Sequence, residues 1–277
     1  MKPVPSGSAY KNKLKRFLQS KEVKDQGISK PKEAESYQTK DPKDKKSLQQ
    51  KDQPKKLTKA KNSHNLSGSK FRWINEKLYT VPGQESFKLF SQNPEYFQIY
   101  HEGFRNQAAQ WPINPVDLVA EQLKSLPSPI HVADMGCGDA KLAQIFDGNS
   151  AFSVCSFDLV KHNRFVTACD MAHTGAEDAQ FDVVVFCLSL MGTNYYDFLR
   201  EANRICKENG AVWVVEVSSR IRNADLFVSC VEKMGFKSSG KVKDLDYFSF
   251  FTFSKAGKTP KKVPEMKILE PCLYKKR

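Results

Sequence analysis

The rhythm of apolar and polar positions changes three times along the chain. Residues 1–70 contain only 15 hydrophobic residues among Lys, Ser, Gln and Pro. Such a stretch cannot bury enough apolar surface to offset its chain entropy, which predicts a disordered tail. Residues 71–111 are a different material, with ten aromatics, among them Phe71, Trp73, Phe97, Tyr100, Phe104 and Trp111. Asn93-Pro94 reads as a helix cap followed by proline at the first turn. The helix then runs toward Gln110 with Phe97, Tyr100 and Phe104 on one face. Trp111-Pro112 and Asn114-Pro115 stop it, and a second helix is predicted at 116–125. Residues 71–128 are therefore expected to form a helical, aromatic-rich lid segment.

From 129 onward short apolar runs alternate with amphipathic stretches. Strands are predicted at 130–134, 152–158, 165–169, 182–188 and 211–217. Helices fall at 139–146, 195–207 and 223–234, with a loop at 171–180. The run 182–188 (DVVVFCL) is nearly all apolar, as a strand buried on both faces should be. Asn209-Gly210 is expected to end the helix before it. Gly235-Phe236 turns the chain into two last strands, near 237–243 and 247–254, whose short connection predicts an antiparallel hairpin. The expected fold class is α/β: a mostly parallel, doubly wound Rossmann-like sheet over 129–254. The 255–277 segment, with three prolines, is expected to be a loose basic tail.

Charge sharpens this division. The formal net charge is +13, from 44 Lys and Arg against 31 Asp and Glu. Residues 1–70 carry net +12, 71–254 net −5 and 255–277 net +6. The basic clusters Lys11–Arg16 and Lys43–Lys46 suit nuclear import or contact with phosphate backbones, and suit a solvated tail equally well. No window reaches the ~18 consecutive apolar residues of a membrane span, so no membrane partner is expected. Met-Lys-Pro-Val-Pro lacks the apolar core of a signal peptide, which argues against secretion. The seven cysteines are odd in number and none are spaced as C-x-x-C, which argues against a disulfide framework or a zinc site and for a reducing compartment.

Candidate chemistry centres on Ala133-Asp134-Met135-Gly136-Cys137-Gly138-Asp139, at the carboxyl end of the first predicted strand, where open α/β sheets bind ligands. Gly136 and Gly138 let backbone approach a ligand closely. A dinucleotide fingerprint needs a third glycine near the pyrophosphate, and Lys141 stands there instead, which disfavours an NAD-dependent oxidoreductase. Asp134 is expected to orient the loop or meet a ligand ammonium. Asp158 ends the second strand, where a carboxylate can accept both ribose hydroxyls. Asp170, after the third, can accept from an adenine amino group while Met171 lies along the base. Cys187 ends the fourth as a small polarizable wall. Each residue alone has an ordinary structural reading. Together, in this order, they form the layout of S-adenosyl-L-methionine-dependent methyltransferases.

The segments FRWINEKLYT (71–80), YHEGF (100–104), WPINP (111–115), ADMGCGDAKLA (133–143), SFDL (156–159), CDMAHT (169–174) and VFCLSLMGTN (185–194) resemble the ribosomal RNA-processing protein 8 family. The likeness covers about 71–254. It implies a nuclear, nucleolar enzyme of ribosome biogenesis that uses S-adenosyl-L-methionine to methylate N1 of an adenine in large-subunit ribosomal RNA. It carries the cofactor contacts onto His101, Gly136, Asp158, Asp170, Met171 and Cys187. Without the resemblance, His101 reads as a packed histidine. One departure is visible: Gly175-Ala176 stands where the family usually has Pro-Leu. A competing expectation from another class is a cofactor-binding module that meets chromatin-associated proteins or the pre-ribosome in ribosomal-gene silencing, with little catalysis.

The residues after the fourth strand bear on the acceptor. Exocyclic amine methylation commonly uses an Asn/Asp-Pro-Pro-aromatic loop there, whereas this chain reads Cys187-Leu188-Ser189-Leu190-Met191. That fits a ring nitrogen, whose lone pair asks for positioning rather than a strong base, and no catalytic residue is identified. Cys187 as a covalent nucleophile toward cytosine is a lesser option, because Phe186 replaces the usual preceding proline. An N1 edge is free only in an unpaired or extruded base, which aromatic side chains can stack. Asn194, Tyr195 and Arg220 are expected at the pocket rim, and most of the ten aromatics in the core. The basic tails are expected to add salt-sensitive RNA affinity.

Overall fold

A computed structural model describes residues 58–240, 243–245, 247–262 and 266–274. The expectations for residues 1–57, both basic clusters included, lie outside the described residues. The first described helix, α1 (Thr58–Thr80), starts inside the 1–70 stretch expected to be disordered. Phe71, where the change in material falls, is buried, but the helix begins before it. Then come α2 (Gly83–Gln92), α3 (Pro94–Ala108) and α4 (Pro115–Leu123). Asn114, read only as part of the stop after α3, also caps α4, its Oδ1 accepting from Val116 N at 3.1 Å. Asn93 and Pro94 open α3 as expected, Asn93 at the cap position and Pro94 at the first turn, but the Asn93 side chain makes no cap bond. Its Nδ2 donates back to Leu89 O at 3.0 Å, so the side chain closes α2.

The sheet is built from β1 (Ile130–Met135), β2 (Phe152–Asp158), β3 (Val166–Ala168), β4 (Phe181–Cys187), β5 (Cys206–Val217), β6 (Phe236–Ser238), β7 (Lys243–Asp244) and β8 (Phe248–Lys255). Its order is β3-β2-β1-β4-β5-β8-β6, with β7 also on β8. β3, β2, β1, β4 and β5 run parallel to their neighbours. β8 runs antiparallel to β5, β6 and β7, so the expected antiparallel end is present. Asn209-Gly210 does not end a helix. α6 (Tyr195–Ile205) stops earlier, and the pair lies in an irregularity of β5 where the register to β4 shifts.

Side-chain alternation explains why the central strands are apolar throughout. Val184, Phe186, Val212, Val214, Phe251 and Phe253 face α6 and α7 (Ala224–Glu232). Val183, Val185, Trp213, Val215, Phe248 and Phe250 face α4 and α5 (Lys141–Phe146). Each strand thus fills two cores, as a sheet covered on both sides requires. A third cluster, including Phe71, Ile74, Phe97 and Tyr100, holds α1, α2 and α3 together above the strand ends.

The described C-terminal segment is not loose. Met266 O accepts from Tyr195 Oη at 3.1 Å and from Tyr196 Oη at 3.0 Å. Ile268 and Leu269 are buried against the sheet. Cys272 O accepts from Asn75 Nδ2 at 2.8 Å, and the Tyr274 ring lies 5.2 Å from that of Phe71. The segment is a strap joining the sheet's helical layer to α1. Its prolines and lysines suggested a tail, but the short apolar pair Ile268-Leu269 anchors it.

Candidate active site

The carboxyl ends of β1 to β4 and the helices above them enclose a cavity of about 490 Å³, within the ~300–1,000 Å³ usual for small-molecule sites. His101, Gly136, Asp158, Asp170, Met171 and Cys187 all line it. The chain therefore brings together the six residues expected to contact the cofactor.

The glycine loop is held from below. The N–H groups of Gly136 and Cys137 both donate to Phe157 O, at 2.8 and 3.0 Å. Gly136 has φ +73° and Gly138 φ +55°, a region that costs L side chains strain. A Cβ at Gly136 would come within 2.5 Å of Ser189 Cβ, and one at Gly138 within 3.2 Å of His101 Cε1. Gly138 N donates to Asp158 Oδ2 at 2.7 Å, and Leu159 N to Oδ1 at 2.7 Å. Each carboxylate oxygen keeps a second lone pair for a ligand hydroxyl. Burial pushes the Asp158 carboxyl up to about 6, opposed by those two N–H bonds. Asp134, buried at the end of β1, is pushed up to about 7 by burial and then by the charge of Asp158.

Asp170 Oδ1 accepts from Ala172 N at 3.0 Å, in the turn after β3. The lid comes close here, since a Cβ on Gly83 would lie 2.9 Å from that oxygen. His101 reaches the glycine loop from α3, packed on Phe97 at 4.1 Å between ring centroids. Burial lowers its pKa to about 4, so the imidazole is neutral. Burial, with the nearby Asp134 and Glu216 carboxylates, pushes the Cys187 thiol well above its ordinary value. A thiol kept protonated is a poor nucleophile, which argues against the covalent role entertained for it.

Asn194, Tyr195 and Arg220 are not at the rim. Asn194 Oδ1 accepts from Gly83 N at 2.8 Å and fixes the start of α2. Tyr195 is buried with its hydroxyl on the strap. Arg220 is 2% exposed. It donates from Nη2 to Leu190 O and from Nε to Glu270 O, both at 2.8 Å. Its guanidinium stacks 4.6 Å from the Tyr79 ring. Glu216 faces it with Oε2 2.7 Å from Nη1, while Oε1 accepts from Leu190 N at 3.2 Å. A charged fork near an apolar strand suggested solvent. The lone glutamate inside AVWVVEV was the available signal that a buried partner existed.

Two ion pairs at the cavity wall escaped the sequence reading. Arg105 Nη1 lies 3.0 Å from Asp139 Oδ2, and Lys141 Nζ lies 2.6 Å from Asp117 Oδ1. Each links a lid helix to the segment after β1. Both are partly exposed, so each is worth at most about 1 kcal/mol.

The family model described as "Hypothetical methyltransferase" matches residues 57–277. Ribosomal RNA-processing protein 8 of Caenorhabditis elegans is 43% identical over 218 residues, 79% of this chain and 63% of that protein. The Mus musculus protein of the same name is 44% identical over 223 residues, 79% of this chain and 48% of that protein. The 25S rRNA (adenine(645)-N(1))-methyltransferase of Schizosaccharomyces pombe is 41% identical over 230 residues, 78% of this chain and 71% of that protein. The chain thus spans about half to two thirds of the first two relatives. Among solved structures, Burkholderia thailandensis 1,6-didemethyltoxoflavin-N1-methyltransferase aligns with TM-score 0.50 and 15% identity, over 64% of this chain and 91% of that one, which is a likeness of fold. With the family model covering most of the chain, the conclusion is direct: this chain belongs to the ribosomal RNA-processing protein 8 family of methyltransferases.

Proposed function

We propose that the chain is an S-adenosyl-L-methionine-dependent methyltransferase acting on N1 of an unpaired adenine in large-subunit ribosomal RNA. The observation that carries this is the pairing of Gly138 N with Asp158 Oδ2 at 2.7 Å, on a cavity that Asp170 also lines. Two carboxylates at successive strand ends repel a pyrophosphate and suit a phosphate-free nucleoside with a cationic tail. The glycine cradle, which a Cβ would fill, leaves room for close backbone contact. Asp158 is suited to accept ribose hydroxyls, Asp170 an adenine amine, Met171 to lie along the base and Cys187 to form a small wall of the site. His101 closes the site from the lid. When bound, the cofactor supplies an electrophilic methyl group.

The acceptor side agrees. Adenine N1 has a free lone pair at neutral pH, so positioning suffices and no general base is required. Neutral His101 and protonated Cys187 fit a site of that kind. The S. pombe relative's name specifies this reaction on 25S rRNA. Ribosomal RNA as substrate implies work in the nucleus and nucleolus.

The test is twofold. Calorimetry with S-adenosylhomocysteine should show binding that Asp158→Ala weakens at least about tenfold, the loss expected for charge-assisted hydrogen bonds. Tritiated methyl transfer to large-subunit RNA, followed by nucleoside mass spectrometry, should yield 1-methyladenosine. Transfer to another nucleoside, or no uptake of the cofactor product, overturns the reading.

A further inference from the structure

Ten aromatic residues fall between 71 and 111, and nine of them are buried or half-buried. Trp73, on α1, is the exception at 45% exposure. A lone exposed apolar residue asks for no explanation, but Trp73 stands in a small constellation. Tyr96 of α3 meets it edge-on, with ring centroids 5.7 Å apart and planes at 78°. An edge-on pair covers one face of one ring only, so aromatic faces stay open. Lys77 Nζ lies 6.0 Å from the centre of the indole, close enough for the ring to attract it. Ser69, Lys70 and Ile74 complete a cleft of about 270 Å³ with the two rings, and it shares no residue with the strand-end cavity.

Charge says what the constellation fits. Residues 71–254 carry net −5, yet α1 holds five basic residues against Glu76 as its single acid. Lys70 and Lys77 are both exposed. They are seven residues apart, two helical turns, so they stand on one side of Trp73 and ~10 Å from each other along the axis. Lysine is depleted where proteins meet proteins, and it is a residue that neutralises phosphates. Open rings between spaced cations are what sequence-tolerant binding of single-stranded nucleic acid uses. The position suits the site as well. Leu78, five residues on and ~7.5 Å farther along the same helix, lines the strand-end cavity.

We propose that this face of α1, with Tyr96, is a docking surface for an unpaired stretch of RNA beside the target nucleotide. Trp73 stacks one base, and Lys70 and Lys77 hold the flanking phosphates. The inference rests on the methyltransferase reading above and names where the substrate is gripped outside the strand-end cavity. A strand held here is tethered to a helix that walls that cavity, so its neighbouring nucleotides are presented to the site at a raised local concentration. Stacking is indifferent to base identity, because every base has a π-face, so this surface supplies affinity and not choice.

The test uses the full chain and an unpaired RNA oligomer of about 12 nucleotides, with binding followed by fluorescence anisotropy across a range of salt. Trp73→Ala is expected to weaken binding about tenfold, by the same factor at every salt concentration. Trp73→Phe should restore most of the loss, and Trp73→Leu, apolar but without a π-face, should not. Lys70→Ala and Lys77→Ala should each lower the slope of log affinity against log salt by about 0.7. S-adenosylhomocysteine affinity should stay at the wild-type value in all of these variants, which shows that the fold and the strand-end cavity are intact. A Trp73→Ala protein that binds RNA like the wild type overturns the proposal and leaves the face to a protein partner. Full rescue by leucine, or salt slopes unchanged in both lysine variants, overturns it too. Tritiated methyl transfer keeps the two readings apart. If 1-methyladenosine forms while RNA affinity ignores Trp73, only this inference fails. If affinity depends on Trp73 and no methyl is transferred, the methyltransferase reading fails and the docking surface stands.

Discussion

Glu216 and Arg220, four residues apart beyond the sheet's centre, form an ion pair of 2.7 Å that is closed off from solvent, at 0% and 2% exposure. It holds the turn after β4 through both polar groups of Leu190 and holds the strap through Glu270 O. Arg220→Met should leave Glu216 buried and unpaired, destabilising the fold by about 3–5 kcal/mol. Urea unfolding measures this. Arg220→Lys should recover little, because a single ammonium cannot reproduce the guanidinium fork.

The cavity carboxylates give the protein a pH signature. Asp158 and Asp134 are raised to about 6 and about 7, so the folded chain holds protons that the unfolded chain has already released. Their contribution to stability is full below about pH 4 and falls as pH rises through about 7. Cofactor affinity should run the other way. Asp158 accepts ribose hydroxyls best when ionised, so S-adenosylhomocysteine binding should weaken as pH drops below about 6. Calorimetry between about pH 5 and 8 follows it, and Asp158→Asn should flatten the profile.

Gly136→Ala combines a φ of +73° with a contact of 2.5 Å to Ser189 Cβ. The loop must shift, at a cost of about 1–3 kcal/mol. Cofactor affinity should fall more steeply than stability, since the loop moves into the site. Thermal melts with and without S-adenosylhomocysteine separate the two losses.

Cys187 lines the cavity but stays a thiol at neutral pH. Cys187→Ala should retain methyl transfer to RNA within about tenfold, because nothing in the chemistry passes through the sulfur and only a wall contact is trimmed. Total loss of transfer, with cofactor binding intact, would favour the covalent role.

The strap offers a stability test remote from the site. Ile268→Ala should cost about 2–5 kcal/mol, as for other buried aliphatic truncations. Tyr196→Phe removes the hydroxyl that donates to Met266 O and accepts from Met266 N, at 3.0 and 3.1 Å, and should cost about 1 kcal/mol. Denaturant midpoints report both.

Local chemistry made much of this protein legible. Val183–Phe186 is apolar at every position because both faces of β4 are covered, and a chain pattern records that directly. The strand-end residues Gly136, Asp158 and Asp170 could be placed because each lies at a fixed offset from its strand. Other features depend on partners far away in the chain. Asn93 and Pro94 read as a helix start and are one, but only the closeness of Leu89 O decides that the Asn93 side chain serves the end of α2. Arg220 reads as a surface cation until Glu216, Tyr79 and the strap are brought around it. The start of α1 in a polar stretch has no apolar periodicity to announce it.

The described cavity has walls from two sources, with His101, Trp111 and Val116 on the lid helices or their linker and Gly136, Asp158 and Cys187 on the sheet. A fragment beginning at residue 129 would keep every strand yet own only half a mould. Grafting this sheet under a foreign set of leading helices would change what is admitted to the site while preserving the carboxylate grip, so selectivity and donor handling are open to separate inheritance.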